Sequence, residues 1–261
     1  MITRFAPSPT GPLHLGHAFS ALTAWDLAQA AGGTFLLRIE DIDRSRARPE
    51  WEAQILDDLA WLGLRWPTPV MRQSDRQPAY DAALDALWDR GLLYPCTCNR
   101  RDILEAASAP QEGAPMGPDG VVYPGICRTK PRTGPRPGDT ALRLDLAACQ
   151  PFVKTPLSAD KVGDVVLARR DMGTSYHLSV VIDDAAQGVT DVVRGKDLAE
   201  ATPIHLFLQE LLDLPSPAYH HHRLIRDDSG KRLAKRDDAR ALSLYRAQGA
   251  TPRDIRAMVG L

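Results

Sequence analysis

Ile2-Thr3-Arg4-Phe5-Ala6-Pro7-Ser8-Pro9-Thr10-Gly11-Pro12-Leu13-His14-Leu15-Gly16-His17 opens the chain and decides how the rest is read. Ile2 to Ala6 is short, apolar and suited to a strand. Pro7 to Pro12 is a dense turn signal. From His14 to Ala31 the pattern is helical, rich in Ala and Leu with Asp26 as its one formal charge, and Gly32-Gly33 stops it. Thr34 to Ile39 reads as a second strand. Strand, turn, helix, glycine, strand is a βαβ unit, and its two strands must run parallel. The fold class expected is α/β, with a doubly wound, Rossmann-type nucleotide-binding domain.

Beyond this unit, Glu50 to Leu62 and Pro78 to Arg90 read as helices. Leu56, Leu59 and Leu62 share one face of the first, and Leu84, Leu87 and Trp88 one face of the second. Pro110 to Gly138 is rich in Pro and Gly with little periodicity, so it reads as an irregular insertion held by something other than a large core. Strand-like patches return at Ala141 to Leu146, Val162 to Arg169 and Leu178 to Ile182. Thr202 to Leu212 reads as a helix with Pro203 at its start.

Composition narrows the function. The 261 residues are 44% hydrophobic and 25% charged, enough apolar mass for a full core. Lys+Arg 32 against Asp+Glu 33 gives a net charge of −1, which excludes a generally basic nucleic-acid binder. A local basic face remains: Tyr219 to Arg256 carries ten Lys/Arg and five Asp/Glu, a net of +5. No apolar run approaches the ~20 residues of a membrane span. The first ten residues lack a charged, then apolar, leader pattern. Four cysteines are too few for a disulfide framework. A cytoplasmic protein that does not bind membranes is expected.

Two constellations suggest phosphate chemistry. His14 and His17 stand at the opening of a helix, where unpaired N–H groups and a partial positive charge suit phosphates, and Gly16 leaves room for a flat group to approach the backbone. Lys231-Arg232-Leu233-Ala234-Lys235-Arg236 follows the turn Asp227-Asp228-Ser229-Gly230. A basic loop of this kind can close over a polyphosphate and stabilise charge building at phosphorus.

Together these stretches resemble the class I aminoacyl-tRNA synthetases, in their glutamyl branch. Arg4-Phe5-Ala6-Pro7-Ser8-Pro9-Thr10-Gly11 with His14-Leu15-Gly16-His17 looks like the branch's ATP signature, and Arg232-Leu233-Ala234-Lys235-Arg236 like its lysine loop. Asp191-Val192-Val193-Arg194-Gly195-Lys196-Asp197-Leu198, then Thr202-Pro203-Ile204-His205-Leu206, matches a further stretch. The resemblance runs from about Ile2 to Arg240. Ala234 departs from it, since a Ser usually precedes the second lysine. Length departs too: 25 residues follow Arg236, too few to fold as an anticodon-binding domain. The likeness is therefore to shortened paralogues of the branch.

That resemblance implies an ATP-dependent ligase that activates L-glutamate without tRNA and esterifies it to the queuosine base at the wobble position of tRNA(Asp). It assigns His14, Gly16, His17 and Lys235 to ATP, with His14, His17 and Lys235 catalytic. Glutamate carries two carboxylates and one ammonium, so two cations and one anion are wanted. Arg4, Glu40 and Arg194 stand at strand C-termini, where open α/β sheets bind ligands. By resemblance Arg4 takes the side-chain carboxylate, Glu40 the amino group and Arg194 the α-carboxylate, with Tyr176 adding a hydroxyl and Ser8 lining the site.

Cys96 and Cys98, one residue apart, can share a metal with Cys127, and Zn²⁺ wants four ligands. The family holds zinc with Cys-x-Cys and Tyr-x-x-x-Cys, which makes Tyr123 the fourth ligand, while Cys149 reads as core. Structural Zn²⁺ and Mg²⁺ with ATP are the metals expected. The expected domains are a Rossmann catalytic domain over 1–94 and 163–218, an inserted zinc-bearing subdomain over 95–162, and a lysine-loop segment with a short helical tail over 219–261, acting as a monomer. Asp41, Asp43 and Arg44 read as capping and pairing groups, and His220-His221-His222 as a strand leading to the lysine loop. Two other functions fit the same residues: a short glutamyl-tRNA synthetase charging a tRNA 3′ end, or a non-catalytic tRNA-binding paralogue.

Overall fold

The structure is a computed structural model describing residues 1–107, 114–225 and 240–261. In chain order its elements begin with β1 (Ile2–Phe5), α1 (Leu15–Ala30), β2 (Thr34–Ile39), α2 (Pro49–Trp61), β3 (Met71–Arg72) and α3 (Gln77–Asp89). Then come β4 (Leu93–Cys96), α4 (Arg100–Ala107), β5 (Met116–Gly117), β6 (Gly120–Val121), β7 (Ala141–Leu144), α5 (Leu146–Cys149), α6 (Ala159–Val162) and β8 (Val166–Ala168). The chain ends with α7 (Tyr176–Ala186), β9 (Asp191–Gly195), α8 (Thr202–Leu211), β10 (Ala218–His222), α9 (Leu242–Ala247) and α10 (Pro252–Val259).

Two compact units form. One holds Met1–Asp75, Ala186–Ala199 and Pro217–Leu261; the other holds Arg76–Ala185 and Glu200–Ser216. The stretch 95–162 lies within the second, together with α3, α8 and nearly all of α7.

The first unit is built on a parallel sheet in the order β10-β9-β1-β2-β3. The β1–α1–β2 crossover is the βαβ unit legible at the start of the chain. Helix α1 lies close on the sheet because the side chains it buries are small: Ala18, Ala21, Ala24 and Ala28 alternate with Phe19 and Leu22. The approach is tight enough for the Thr3 hydroxyl to donate to the Ala24 carbonyl at 2.8 Å. In α2, Pro49 opens the helix and Glu50 and Glu52 occupy its positive end. Its buried stripe is Ile55, Leu59 and, just past its end, Leu62, with Leu56 at the margin. Helices α9 and α10 complete this core through Leu242, Ile255 and Val259, and Arg256 grips Asp26 on α1 with two 2.8 Å bonds.

The second unit carries a three-stranded antiparallel sheet, β4-β7-β8, and the small hairpin β5–β6. Asp164 ties it together, accepting from the Tyr94 hydroxyl (2.6 Å) and from Arg128 (2.8 Å), while Arg143 donates to its carbonyl (2.7 Å).

Three strand expectations change. Leu178 to Ile182 is not a strand but part of α7. That helix buries Leu178, Val180 and Val181 along with Ser179, Asp183 and Asp184, so it has no polar face to reveal a helical period. Ala141 to Leu146 shortens to β7 because Asp145 caps α5, accepting from Ala147 and Ala148 at 3.1 Å. Val162 to Arg169 shortens to β8 because Gly163, at φ 72°, turns the chain after α6.

Candidate active site and metal centre

The turn after β1 is fixed by backbone bonds to the segment after β2. Glu40 donates to the Pro7 carbonyl and Arg48 to the Pro9 carbonyl, both at 3.0 Å. The turn delivers His14 to the N-cap of α1, where imidazoles do the work usually done by Ser or Asp. His14 Nδ1 accepts from the Gly16 N–H (3.1 Å), and His17 Nδ1 accepts from the His14 N–H (3.2 Å). A ring nitrogen that accepts from an amide carries no proton. Both rings are therefore neutral, with the proton on Nε2. The rings stack at 3.8 Å. The result is a pair of N–H donors held rigidly at the positive end of a helix.

At Gly16 a Cβ would stand 3.0 Å from His14 Cε1 and 3.1 Å from Nδ1, so the glycine also makes room for the ring of His14. Lys235 and the rest of the basic loop lie outside the described residues. The residues flanking them are held in the first unit: Ile225 is buried in its core, Ala241 bridges to His14, and Leu242 donates to the Leu13 carbonyl at 2.8 Å.

Arg4 on β1 and Arg194 on β9 lie on adjacent parallel strands, each 5% exposed. The Arg194 guanidinium lies 4.9 Å over the Tyr219 ring, and its Nε is 3.5 Å from His221 Nε2. Burial and then the Arg194 charge push the His221 pKa below its ordinary value, which favours a neutral acceptor there. The three successive histidines serve three partners: His220 meets Asp191 (2.8 Å), His221 meets Arg194, and His222 meets Ser20 (2.7 Å). Glu40, just past β2, takes a 3.3 Å bond from Arg38, a fully buried arginine that also donates to Gln187 at 3.0 Å. Ser8 is exposed on the turn. Asp41 accepts from the Ser74 N–H at 2.8 Å, Arg44 donates to the Ser74 carbonyl at 3.4 Å, and Asp43 accepts from Ser45 at 2.6 Å and from Arg46. Tyr176 opens α7 in the second unit, its ring 5.6 Å from those of His177 and His205.

Also in the second unit, the thiols of Cys96, Cys98 and Cys127 lie within 4.8 Å of one another. The Tyr123 hydroxyl is 3.4 Å from Cys96 Sγ and 3.6 Å from Cys98 Sγ, and Cys98 is 3.5 Å from Cys127. A tetrahedron with 2.3 Å zinc–sulfur bonds has edges of about 3.8 Å, so this donor set fits the ion. Arg143 packs beneath, 3.7 Å over the Tyr123 ring and with Nε 3.3 Å from Cys96 Sγ, and offsets the negative charge of thiolates. Burial pushes the Cys98 thiol up to about 11. At Cys127 burial is outweighed by bonds from the Thr97 backbone and the Tyr123 hydroxyl, which bring its pKa to about 6. Burial and its cysteine contacts raise the Tyr123 phenol above its ordinary value. A divalent cation would favour the deprotonated form of all four.

Sequence reasoning missed Arg38 and Arg143. The one available signal was a charged residue inside an otherwise apolar strand.

This fold and site define a class, and comparison with known proteins agrees. The family model described as "tRNA synthetases class I (E and Q), catalytic domain" matches residues 1–119 and 151–261. The chain belongs to that family and is a ligase. A protein of Rhodobacter capsulatus named glutamyl-Q tRNA(Asp) synthetase is 68% identical over 280 aligned positions, covering all of both chains. One of that name from Nocardia farcinica is 44% identical, covering 98% of this chain and 82% of the relative. Among solved structures, a glutamate tRNA ligase of Elizabethkingia meningosepticum, in complex with its amino acid, superposes with a TM-score of 0.77 at 25% identity; the chain covers 60% of its length. Among the described residues no helix is long and apolar enough to cross a membrane.

Proposed function

We propose that the chain activates L-glutamate with ATP in the absence of tRNA and transfers it to the queuosine base of tRNA(Asp). The observation that carries this reading is the full-length match to a relative bearing that name. The site geometry supports it. Arg4 and Arg194 supply two buried cations for two carboxylates, and Glu40 supplies the anion for the ammonium. Tyr176 and Ser8 add hydroxyls. The Nε2–H groups of His14 and His17 donate to ATP phosphates at the start of α1, and Lys235 adds charge that counts most in the transition state. ATP is taken as its Mg²⁺ complex.

In the first step a glutamate α-carboxylate oxygen attacks the α-phosphorus, forming the mixed anhydride and releasing pyrophosphate. In the second, a hydroxyl of the queuosine cyclopentene-diol attacks the acyl carbon and AMP leaves. No side chain needs to form a covalent intermediate. Cys96, Cys98, Tyr123 and Cys127 would hold a structural Zn²⁺ that braces the segment around them. The +5 stretch from Tyr219 to Arg256 would meet RNA phosphates. Glutamate-dependent pyrophosphate exchange without tRNA tests the first step: exchange supports the reading, and its absence with active protein and Mg²⁺ contradicts it.

A further inference from the structure

A cluster in the second unit has no part in the reaction described above. His177 and His205 are 6% and 1% exposed, with His177 Nδ1 3.0 Å from His205 Nε2. The other nitrogen of His177, Nε2, lies 2.9 Å from both carboxylate oxygens of Asp119. Asp119 is half exposed and occupies the two-residue turn Pro118-Asp119 of the β5–β6 hairpin. A carboxylate only accepts, so Nε2 of His177 carries the proton. The Nδ1 of His177 meets His205 Nε2, so Asp119, His177 and His205 form one hydrogen-bonded chain.

The hairpin is held firmly enough to impose this arrangement. A Cβ on Gly117 would meet the Lys161 carbonyl at 2.5 Å, and one on Gly163 would meet the Tyr123 amide nitrogen at 2.7 Å. Backbone therefore packs directly on backbone at the hairpin's base. At the other end, Tyr176 sets its ring edge-on against both imidazoles, 5.6 Å from each. Tyr176 thus packs against both rings of this chain of hydrogen bonds.

We infer that Asp119 is a positioning residue, which fixes His177 and His205 by hydrogen bonding and through them holds Tyr176 where glutamate binds. The inference rests on the glutamate reading of Tyr176 given above. Asp119 touches neither substrate, so its effect falls on glutamate KM and not on kcat or on ATP.

The test compares Asp119→Ala and Asp119→Asn in the full-length protein, by pyrophosphate exchange and by ¹⁵N NMR of the histidine rings. Loss of a hydrogen bond to a charged group should raise glutamate KM about tenfold in Asp119→Ala, leaving kcat and ATP KM within about twofold. Asp119→Asn keeps an oxygen that accepts from Nε2–H, and should restore KM to near the original value. The NMR spectrum should show His177 as the Nε2–H tautomer in the unaltered protein and in Asp119→Asn, and altered in Asp119→Ala. An unchanged glutamate KM in Asp119→Ala, an equal rise for ATP, or an Asn variant as impaired as the Ala variant would overturn the inference. So would an unchanged His177 signal in Asp119→Ala. Failure of the unaltered protein to catalyse exchange would instead strike the functional reading, while the tautomer measurement would still judge the hydrogen-bonded chain.

Discussion

Gly16→Ala separates stability from chemistry at the turn into α1. The new Cβ would stand 3.0 Å from His14 Cε1, against a comfortable 3.5–4.0 Å. The ring must yield by a few tenths of an ångström, and it is 8% exposed and stacked at 3.8 Å on His17, so it has little freedom. The Gly16 N–H bond to Nδ1, already 3.1 Å, is lost. Loss of a helix cap costs about 1 kcal/mol. Replacing Gly by Ala within a helix returns about 1 kcal/mol. These effects nearly cancel, so Tm should move by less than about 4 °C. Activity has no such compensation. A phosphate donor displaced by a fraction of an ångström to an ångström should lower exchange by up to about 10²-fold. Thermal unfolding and glutamate-dependent exchange on the same preparation are the assays. Unaltered exchange would refute the role given to His14. A fall in Tm beyond about 10 °C together with lost activity would make the glycine a folding residue and nothing more.

Asp58 is 1% exposed, and its Oδ2 has no hydrogen-bond partner among the described residues. Burial, then the neighbouring Asp57, raises its pKa from 3.8 to about 6. The folded carboxyl thus binds its proton more tightly than the unfolded one, and its ionisation at pH 7 destabilises the fold by at most about 3 kcal/mol. Its contribution should improve as pH falls from 7 through 6 towards 4; Asp58→Asn should be more stable at pH 7 and lack that component, and identical pH dependence in denaturant melts would contradict this. Cys98→Ser should release the metal; elemental analysis of unaltered protein purified without chelator should find zinc, and a zinc-free preparation would remove the basis for the site. Arg4→Leu should weaken glutamate binding by about 2–5 kcal/mol, because a desolvated carboxylate is left unpaired, while sparing ATP. Calorimetric titration of each ligand is the check, and equal weakening of both would mean a collapsed pocket.

The β1–α1–β2 unit was legible because Pro7 to Pro12 and Gly32-Gly33 punctuate it and the periodicity changes between them. Helix α7 was not, because it buries Ser179, Asp183 and Asp184 along with Leu178, Val180 and Val181, so its polar residues do not mark a solvent face. The spacing of Cys96 and Cys98 with Cys127 pointed to a shared site, the family resemblance added Tyr123, and the four side chains do meet. The start of α1 was legible as a helix N-terminus, but not its cap chemistry, since histidine is an unusual cap and only geometry shows which nitrogen accepts. Arg38 with Gln187, and Asp119 with His177, join residues 149 and 58 positions apart. Local pattern carries no information about such pairs, which the fold alone creates.

The acceptor is the central claim, and transfer of labelled glutamate tests it directly. With ATP and Mg²⁺, label should pass to tRNA(Asp) that carries queuosine and not to the same tRNA with guanine, which lacks the diol. After nuclease digestion the label should sit on an anticodon-loop fragment. Label on the 3′-terminal adenosine would contradict the account and make the chain an ordinary glutamyl-tRNA synthetase.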